Sequence, residues 1–143
     1  METDLGGLKD KVIAIWGLAF KPRTDDVREA PALKLIRELV KRGARVQATD
    51  PEALGTSKQQ LTLDGALENV KLIEDEYAAC EGADCLVLAT EWSEYRAPDL
   101  TRIASALRGR HVFDGRNVLV PAAVVDAGLV YRGMGRPQLT PNS

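Results

Sequence analysis

The sequence has very little histidine and cysteine, two of the side chains on which many catalytic and metal sites depend. His111 is the single histidine in 143 residues, so a Ser-His-Asp triad or a histidine-based metal site has almost no material. The two cysteines, Cys80 and Cys85, are too few for a disulfide framework and predict buried free thiols in a reducing cytoplasm. Because neither cysteine lies in an evident electropositive pocket, we expect both to be inert packing residues. His111 begins a predicted strand, and we expect it to be structural.

Long apolar runs and a large excess of one charge are also absent. No run approaches the roughly 20 apolar residues that a membrane-spanning helix needs, and Met1–Asp10 lacks the apolar core of a signal peptide. With 19 basic and 21 acidic residues, the formal net charge is −2, which leaves no electrostatic footprint for nucleic acid. We therefore expect a cytoplasmic protein that binds neither nucleic acid nor a membrane.

What the sequence does contain is a regular alternation of strand-like and helix-like segments. The length favours one domain, and 45% hydrophobic residues are enough for a layered core. Strands are predicted at Val12–Trp16, Arg45–Thr49, Val70–Ile73, Asp84–Thr90, His111–Phe113 and Leu129–Arg132. Helices are predicted at Ala30–Arg42, Glu74–Cys80, Pro98–Leu107 and Pro121–Ala127, with a helix-plus-loop segment at Glu52–Asn69. This alternation predicts an α/β, Rossmann-like doubly wound fold, with a mostly parallel sheet and helices on both faces.

The loop after the first predicted strand, Gly17–Pro31, holds a single glycine. Without a run of glycines the backbone cannot wrap a phosphate in its N–H groups, so an anion must be met by side-chain cations. This loop carries Lys21 and Arg28, and the turn Asp114–Asn117 after a later strand carries Arg116. Loops after the strands of a doubly wound sheet share one edge, and ligands bind where the strand order reverses. If the first and fourth strands are neighbours, these cations converge on one crevice and can grip a diphosphate.

Other residues near these loops leave alternatives open. The loop Gly17–Pro31 can instead be a solvated, charge-balanced segment with a helix cap. Asp50 ends the second strand, where nucleotide-binding folds often place a ribose-binding acid. No GxGxxG motif precedes it, however, and Asp50-Pro51 is itself a turn signal, so we favour the turn. Trp92 and Tyr95, after the fourth strand, can stack on a base or sugar or close the core beneath their loop. No pair of acids is placed for general acid–base catalysis.

Several segments occur together in an order that is typical of one enzyme family. They are GLAFKPRTDDVREAP at 17–31, GA at 43–44, DP at 50–51, TEW at 90–92, FDGRN at 113–117 and YRGMGR at 131–136. In this order they resemble the C-terminal, UDP-binding domain of the UDP-glucose/GDP-mannose dehydrogenase family, from about Val12 to Arg136. The first segment is more similar to the UDP-glucose enzymes than to the GDP-mannose enzymes.

The resemblance implies an enzyme of two Rossmann-like domains joined by a long helix, commonly a homodimer. The N-terminal domain binds NAD and the C-terminal domain binds the nucleotide-sugar. The sugar C6 alcohol is oxidised to a carboxylate in two hydride transfers, through a cysteine thioester. By position, Phe20 and Lys21 match substrate contacts of the family. Arg116 matches the arginine that grips the nucleotide diphosphate, and Arg28 matches an arginine that reaches towards the NAD phosphates across the interdomain cleft.

The resemblance also implies how the chain is divided and what it lacks. Residues 11–136 are expected to form the UDP-sugar-binding domain, residues 1–10 a disordered leader or remnant of the linking helix, and residues 137–143 a frayed tail. The family's catalytic cysteine motif and NAD fingerprint do not occur, and Cys80 and Cys85 do not match that motif. We therefore expect no dehydrogenase turnover from these residues alone.

Four alternatives stay open. The chain can be a stand-alone UDP-sugar or nucleotide-binding module without chemistry, or the same domain of a UDP-N-acetyl-sugar 6-dehydrogenase or of a GDP-mannose 6-dehydrogenase. In the fourth, the same loops serve a different kind of enzyme with another phosphorylated ligand.

Overall fold

The computed structural model describes residues 7, 9–18, 31–50, 57–58, 69–89, 98–115 and 119–133. The strands in these ranges are β1 (Val12–Trp16), β2 (Arg45–Thr49), β3 (Val70–Leu72), β4 (Cys85–Leu88), β5 (His111–Asp114) and β6 (Val130–Gly133). The helices are α1 (Pro31–Lys41), α2 (Glu76–Cys80), α3 (Leu100–Ala106) and α4 (Pro121–Asp126). Each of these elements was predicted from the sequence, with bounds that differ by at most two residues. Most of the predicted segment Glu52–Asn69 lies outside the described residues.

All six strands are parallel and form one sheet in the order β3-β2-β1-β4-β5-β6. The chain adds strands outward from β1 to β3 and then returns to place β4 against the other side of β1. The strand order therefore reverses between β1 and β4, as a doubly wound fold requires. The prediction of an α/β, Rossmann-like doubly wound fold is confirmed, and the first and fourth strands are indeed neighbours.

Both faces of the sheet are covered by helices, as predicted. The helix α1 packs on one face, where Leu33, Ile36 and Leu39 form a buried stripe against β1 and β2. The helices α2, α3 and α4 pack on the opposite face against β1, β4 and β6. Because β4 is covered on both sides, all four of its residues are buried, which explains its continuous apolar sequence. Each fully buried Ile or Leu stabilises this core by roughly 1.5–3 kcal/mol.

The helix α1 ends at a glycine, as the sequence predicts. Gly43 has a φ of 91°, a left-handed conformation that glycine adopts without a Cβ penalty. Its N–H donates to Val40 O, and the N–H of Ala44 donates to Leu39 O, both at 3.0 Å. These two bonds form a Schellman motif, which satisfies the last carbonyl groups of the helix and turns the chain into β2.

Of the predicted leader at 1–10 only residues 7, 9 and 10 are described, and the predicted frayed tail at 137–143 lies outside the described residues. Within the described part of the chain, no helix has both the length and the hydropathy to cross a membrane.

Candidate functional site

The residues that sequence reasoning assigned to the site are not themselves described. Phe20, Lys21, Arg28 and Arg116 all fall outside the described ranges, as do the aromatic candidates Trp92 and Tyr95. The structure instead describes the residues from which their three loops leave the sheet and those at which the described chain resumes, at positions 31, 98 and 119. These flanking residues determine whether the predicted cations can reach a common ligand.

The loops that follow β1, β4 and β5, which carry all of these residues, leave the sheet side by side. In the strand register Trp16 is opposite Leu88, and Leu88 is opposite Asp114, so β1, β4 and β5 end at one level. The N–H of Ala89 donates to Trp16 O at 2.9 Å, and the N–H of Gly115 donates to Leu88 O at 3.0 Å. The ladder thus continues one residue beyond each strand. We call this edge, formed by Trp16, Leu88 and Asp114, the rim; it contains the point where the strand order reverses.

The first loop begins under close restraint from β2. The N–H of Gly17 donates to Thr49 O at 2.8 Å, and the N–H of Leu18 donates to the Asp50 carboxylate at 2.7 Å. Gly17 has a φ of 97°, and the Leu18 side chain is fully buried. Asp50 is itself only 2% exposed. The sequence prediction treated Asp50 as part of a turn and missed this bond; its one signal was an acid at the end of a strand next to β1.

The third loop is closed by a side chain. Asp114 is 1% exposed, and its Oδ2 accepts a hydrogen bond from Leu119 N–H at 2.8 Å and from the Tyr131 hydroxyl at 3.1 Å. Residues 115–118, which include Arg116, therefore lie between two anchored positions. A Cβ on Gly115 would lie 3.0 Å from Leu88 O, so the start of this turn runs close against β4.

Aromatic and polar groups support the rim on the face that carries α2 and α3. The indole N–H of Trp16 donates to Glu76 O at 2.9 Å, and its ring meets Tyr77 edge-on with centroids 5.9 Å apart. The Tyr77 hydroxyl accepts from Asp99 N–H at 2.8 Å, and the Arg102 guanidinium lies 4.1 Å from the Tyr77 ring centroid. Asp99 also caps α3 through Arg102 N–H. The end of β1 is thus tied to the starts of two helices.

Two cavities lined by described residues lie away from the rim. One, of about 390 Å³, lies between α2 and α3, and the other, of about 340 Å³, lies over the first residues of β2 and the start of β3. Neither is lined by a residue that ends β1, β4 or β5. We therefore place the candidate site at the rim, on the grounds of strand order and loop chemistry. Across the described ranges, no group of three or more His, Cys, Asp and Glu side chains could hold a metal ion.

The two thiols are buried packing groups, as predicted. Cys80 ends α2 and Cys85 begins β4, and both are fully buried. Burial raises the pKa of each thiol to about 12, and the neighbouring Asp84 charge adds to the effect at Cys85. Thiols with such a pKa stay protonated at neutral pH and are poor nucleophiles. His111 is half-buried and its ring stacks parallel to Phe113, with centroids 6.0 Å apart, which agrees with the structural role expected for it.

We expect neither thiol to react with iodoacetamide in the native protein at pH 8, because burial removes both access and thiolate. Mass spectrometry of the treated chain measures this directly, and the urea-unfolded chain, in which both thiols should be labelled, is the control. Rapid labelling of Cys80 or Cys85 in the native chain would show that the core opens at that position.

Comparison with known proteins agrees with this geometry. A model of the UDP-glucose/GDP-mannose dehydrogenase family, UDP binding domain, matches residues 14–121. That range contains the ends of β1, β4 and β5, the three loops that follow them, and all four predicted site residues.

Individual relatives carry related names. The UDP-glucose 6-dehydrogenase of Pseudomonas aeruginosa is 44% identical over 133 residues, which cover 93% of this chain and 29% of that protein. The structure of a UDP-glucose dehydrogenase from Pyrobaculum islandicum aligns with a TM-score of 0.69 and 38% identity, over 82% of this chain and 24% of that one. A UDP-D-ManNAc dehydrogenase from Pyrococcus horikoshii aligns with a TM-score of 0.70 and 29% identity, over 91% of this chain and 27% of that one. The chain therefore spans less than a third of the length of these relatives.

Proposed function

The chain belongs to the UDP-glucose/GDP-mannose dehydrogenase family and matches its C-terminal UDP-binding domain, and we propose that it is the nucleotide-sugar-binding part of a UDP-glucose 6-dehydrogenase. The observation that carries this proposal is the common rim: the loops after β1, β4 and β5 begin side by side where the strand order reverses. Ligands of doubly wound folds bind at that place.

In this proposal the chain binds the UDP-sugar with cations from two loops. Lys21, in the loop after β1, and Arg116, two residues after Asp114, neutralise the diphosphate. Arginine offers a planar fork to phosphate oxygens, and lysine offers a mobile point charge. Phe20 adds a further substrate contact beside Lys21. Their shared rim is what allows residues nearly one hundred positions apart in sequence to meet one ligand.

The turn after β1 is poorly suited to hold a dinucleotide. Dinucleotide-binding turns present backbone N–H groups of a glycine-rich segment to the pyrophosphate. Here the N–H groups of Gly17 and Leu18 already donate to Thr49 O and to the Asp50 carboxylate, at 2.8 and 2.7 Å. We therefore assign NAD, which serves as the hydride acceptor, mainly to the N-terminal domain of the parent enzyme. Arg28 is the one contact that we assign to NAD from this chain, across the interdomain cleft.

The chain binds and orients the substrate rather than performing the oxidation. Its two thiols are buried, with pKa values raised to about 12, so the nucleophilic cysteine of the family reaction must come from the parent's other residues. We propose that residues 11–136 form the binding domain, that the parent enzyme is a cytoplasmic homodimer, and that residues 1–143 alone produce no NADH from UDP-glucose. A longer reading frame upstream that carries a GxGxxG motif and a cysteine motif would favour this proposal over a stand-alone module.

Isothermal calorimetry of the chain with UDP, UMP, GDP and UDP-glucose tests the proposal. We expect UDP and UDP-glucose to bind, UMP to bind more weakly because it lacks the second phosphate, and GDP to bind more weakly because its base differs. Equal or tighter binding of GDP would favour a GDP-mannose enzyme, and binding of none of the uridine nucleotides would overturn the proposed function.

A UDP-N-acetyl-sugar is the second candidate substrate. The structural similarity to the UDP-D-ManNAc dehydrogenase, with a TM-score of 0.70, favours it, whereas the higher identities of 44% and 38% to UDP-glucose enzymes favour UDP-glucose. A calorimetric series that adds UDP-N-acetylmannosamine to UDP-glucose separates the two, because the tighter ligand identifies the sugar.

A further inference from the structure

Two buried aspartates frame the rim from both sides. The central strands β1 and β4 lie between β2 and β5 in the sheet. Asp50 directly follows β2, and Asp114 is the last residue of β5. Both carboxylates are almost completely buried, with exposures of 2% and 1%, although an isolated aspartate is rarely found so deep in a protein. Such burial is stable only when hydrogen bonds replace the lost water.

Each of these carboxylates accepts a hydrogen bond from a residue that flanks a loop assigned to the substrate. Asp50 accepts from Leu18 N–H at 2.7 Å, at the start of the loop that carries Phe20 and Lys21. Asp114 accepts from Leu119 N–H at 2.8 Å, immediately beyond the segment 115–118 that carries Arg116. The Tyr131 hydroxyl, fully buried in β6, donates to the same Oδ2 atom at 3.1 Å and so fixes the carboxylate's orientation.

A third buried aspartate, Asp84, makes only structural contacts among those described and serves as a comparison. Asp84, at the amino end of β4, accepts from Val12 N–H at 2.8 Å and pairs with Arg108 at 2.7 Å. These contacts lie at the edge of the sheet opposite the rim. Asp84 therefore has the same chemistry as Asp50 and Asp114, but its partners belong to no substrate loop, which makes it a matched control.

We propose that Asp50 and Asp114 are positioning residues that fix Leu18 and Leu119, the described residues that flank the two cationic loops, before the UDP-sugar arrives. This inference rests on the proposed function. A loop fixed in advance loses less conformational freedom on binding, so more of each ion contact appears as affinity. Charge-assisted bonds to backbone N–H groups are strong enough for this task, since they are about twice as strong as neutral ones.

Variants of Asp114 test the turn that carries Arg116. In Asp114→Ala we expect faster hydrogen exchange at the Leu119 amide and a UDP affinity that falls by about tenfold or more. Asp114→Asn should recover part of both, because its amide oxygen can accept from Leu119 N–H and from the Tyr131 hydroxyl. Asp84→Ala should lower the stability of the fold but leave the UDP affinity of the folded chain unchanged. A general loss of stability would not produce this pattern.

Variants of Asp50 repeat the test independently at the loop that follows β1. Asp50→Ala should accelerate hydrogen exchange at the Leu18 amide and lower the affinity for UDP. Asp50→Asn should retain part of the exchange protection and part of the affinity. If the alanine variants do not fold, Tyr131→Phe removes one donor to Asp114 and keeps the carboxylate. It should also lower the UDP affinity, by a smaller factor than Asp114→Ala.

The outcomes separate this inference from the proposed function. Faster exchange at Leu18 and Leu119 together with weaker UDP binding, partly restored by asparagine, supports the positioning role. Unchanged exchange, or faster exchange with unchanged UDP affinity, overturns it while the proposed function stands. If the unaltered chain binds no uridine nucleotide, the proposed function fails first, and the positioning role fails with it whatever the exchange rates.

Discussion

Gly109→Ala is expected to destabilise the fold by about 3 kcal/mol, one of the largest effects available to a single added methyl group. A Cβ at this position would lie 2.0 Å from the backbone oxygen of Asp84 and 2.9 Å from its carbonyl carbon. Neither atom belongs to a flexible side chain that could move aside. The φ of Gly109 lies outside the left-handed region, so the expected loss comes from steric overlap and not from backbone conformation.

The backbone around Gly109 has little room to retreat. The N–H groups of Arg108 and Gly109 donate to Ala83 O at 2.7 and 3.3 Å, and the Arg108 guanidinium holds the Asp84 carboxylate at 2.7 Å. Burial alone would raise the pKa of Asp84, but the bonds from Arg108 and from Val12 N–H together lower it. The turn before β5 is therefore fastened to the start of β4 through both main chain and side chain.

Urea unfolding of the unaltered chain and of Gly109→Ala measures the difference in their free energy of unfolding. Gly128→Ala is the matched control, because Gly128 has a φ of 90° and open space around its Cβ position. It should be destabilised by only about 1 kcal/mol, from backbone strain alone. If Gly109→Ala is no more harmful than Gly128→Ala, the close approach of this turn to Asp84 does not exist in solution.

Local patterns were enough to predict most of the fold. The strand β2 was predicted with its observed bounds because an exposed turn precedes it and Asp50-Pro51 stops it. The helix α1 was predicted from its buried stripe and from Gly43, which supplies the left-handed residue at its end. The predicted strand Asp84–Thr90 is longer at both ends than β4, Cys85–Leu88, although the N–H groups of Asp84 and Ala89 still donate to Val12 O and Trp16 O at 2.7 and 2.9 Å.

The contacts that organise the candidate site could not be predicted in the same way. Leu18 and Asp50 are 32 residues apart, and Asp114 and Tyr131 are 17 apart, so no periodicity or spacing relates them. They meet because neighbouring parallel strands bring distant parts of the chain together, which is a property of the topology. Sequence reasoning pointed to the cations because the first loop has only one glycine, but it did not predict the bonds that Gly17 and Leu18 donate to Thr49 and Asp50.

The loss of Lys21 or Arg116 is the second large effect we expect. Lys21→Ala and Arg116→Ala should each weaken UDP binding by about 1.5–3 kcal/mol, the usual value of a hydrogen bond to a charged group. Lys11 and Arg110 are matched controls, because they directly precede β1 and β5 and so lie at the opposite edge of the same strands. Lys11→Ala and Arg110→Ala change the net charge equally and should leave UDP affinity almost unchanged. Equal losses in the control pair would mean that only overall charge matters.

A double-mutant cycle between Lys21 and Arg116 tests their convergence on one ligand. Substitutions at distant sites add within about 0.3–0.5 kcal/mol, whereas groups that share a partner depart from additivity by about 0.5–3 kcal/mol. If both cations hold one diphosphate, removing Lys21 in the Arg116→Ala background should have an effect on UDP affinity clearly different from that in the unaltered chain. Strict additivity would mean that the cations act at separate places. The shared rim would then be a feature of the fold and not a shared binding site. Adjacent strand ends start the two loops side by side, but only one ligand bound by both Lys21 and Arg116 makes the effects of their substitutions on UDP affinity depend on each other.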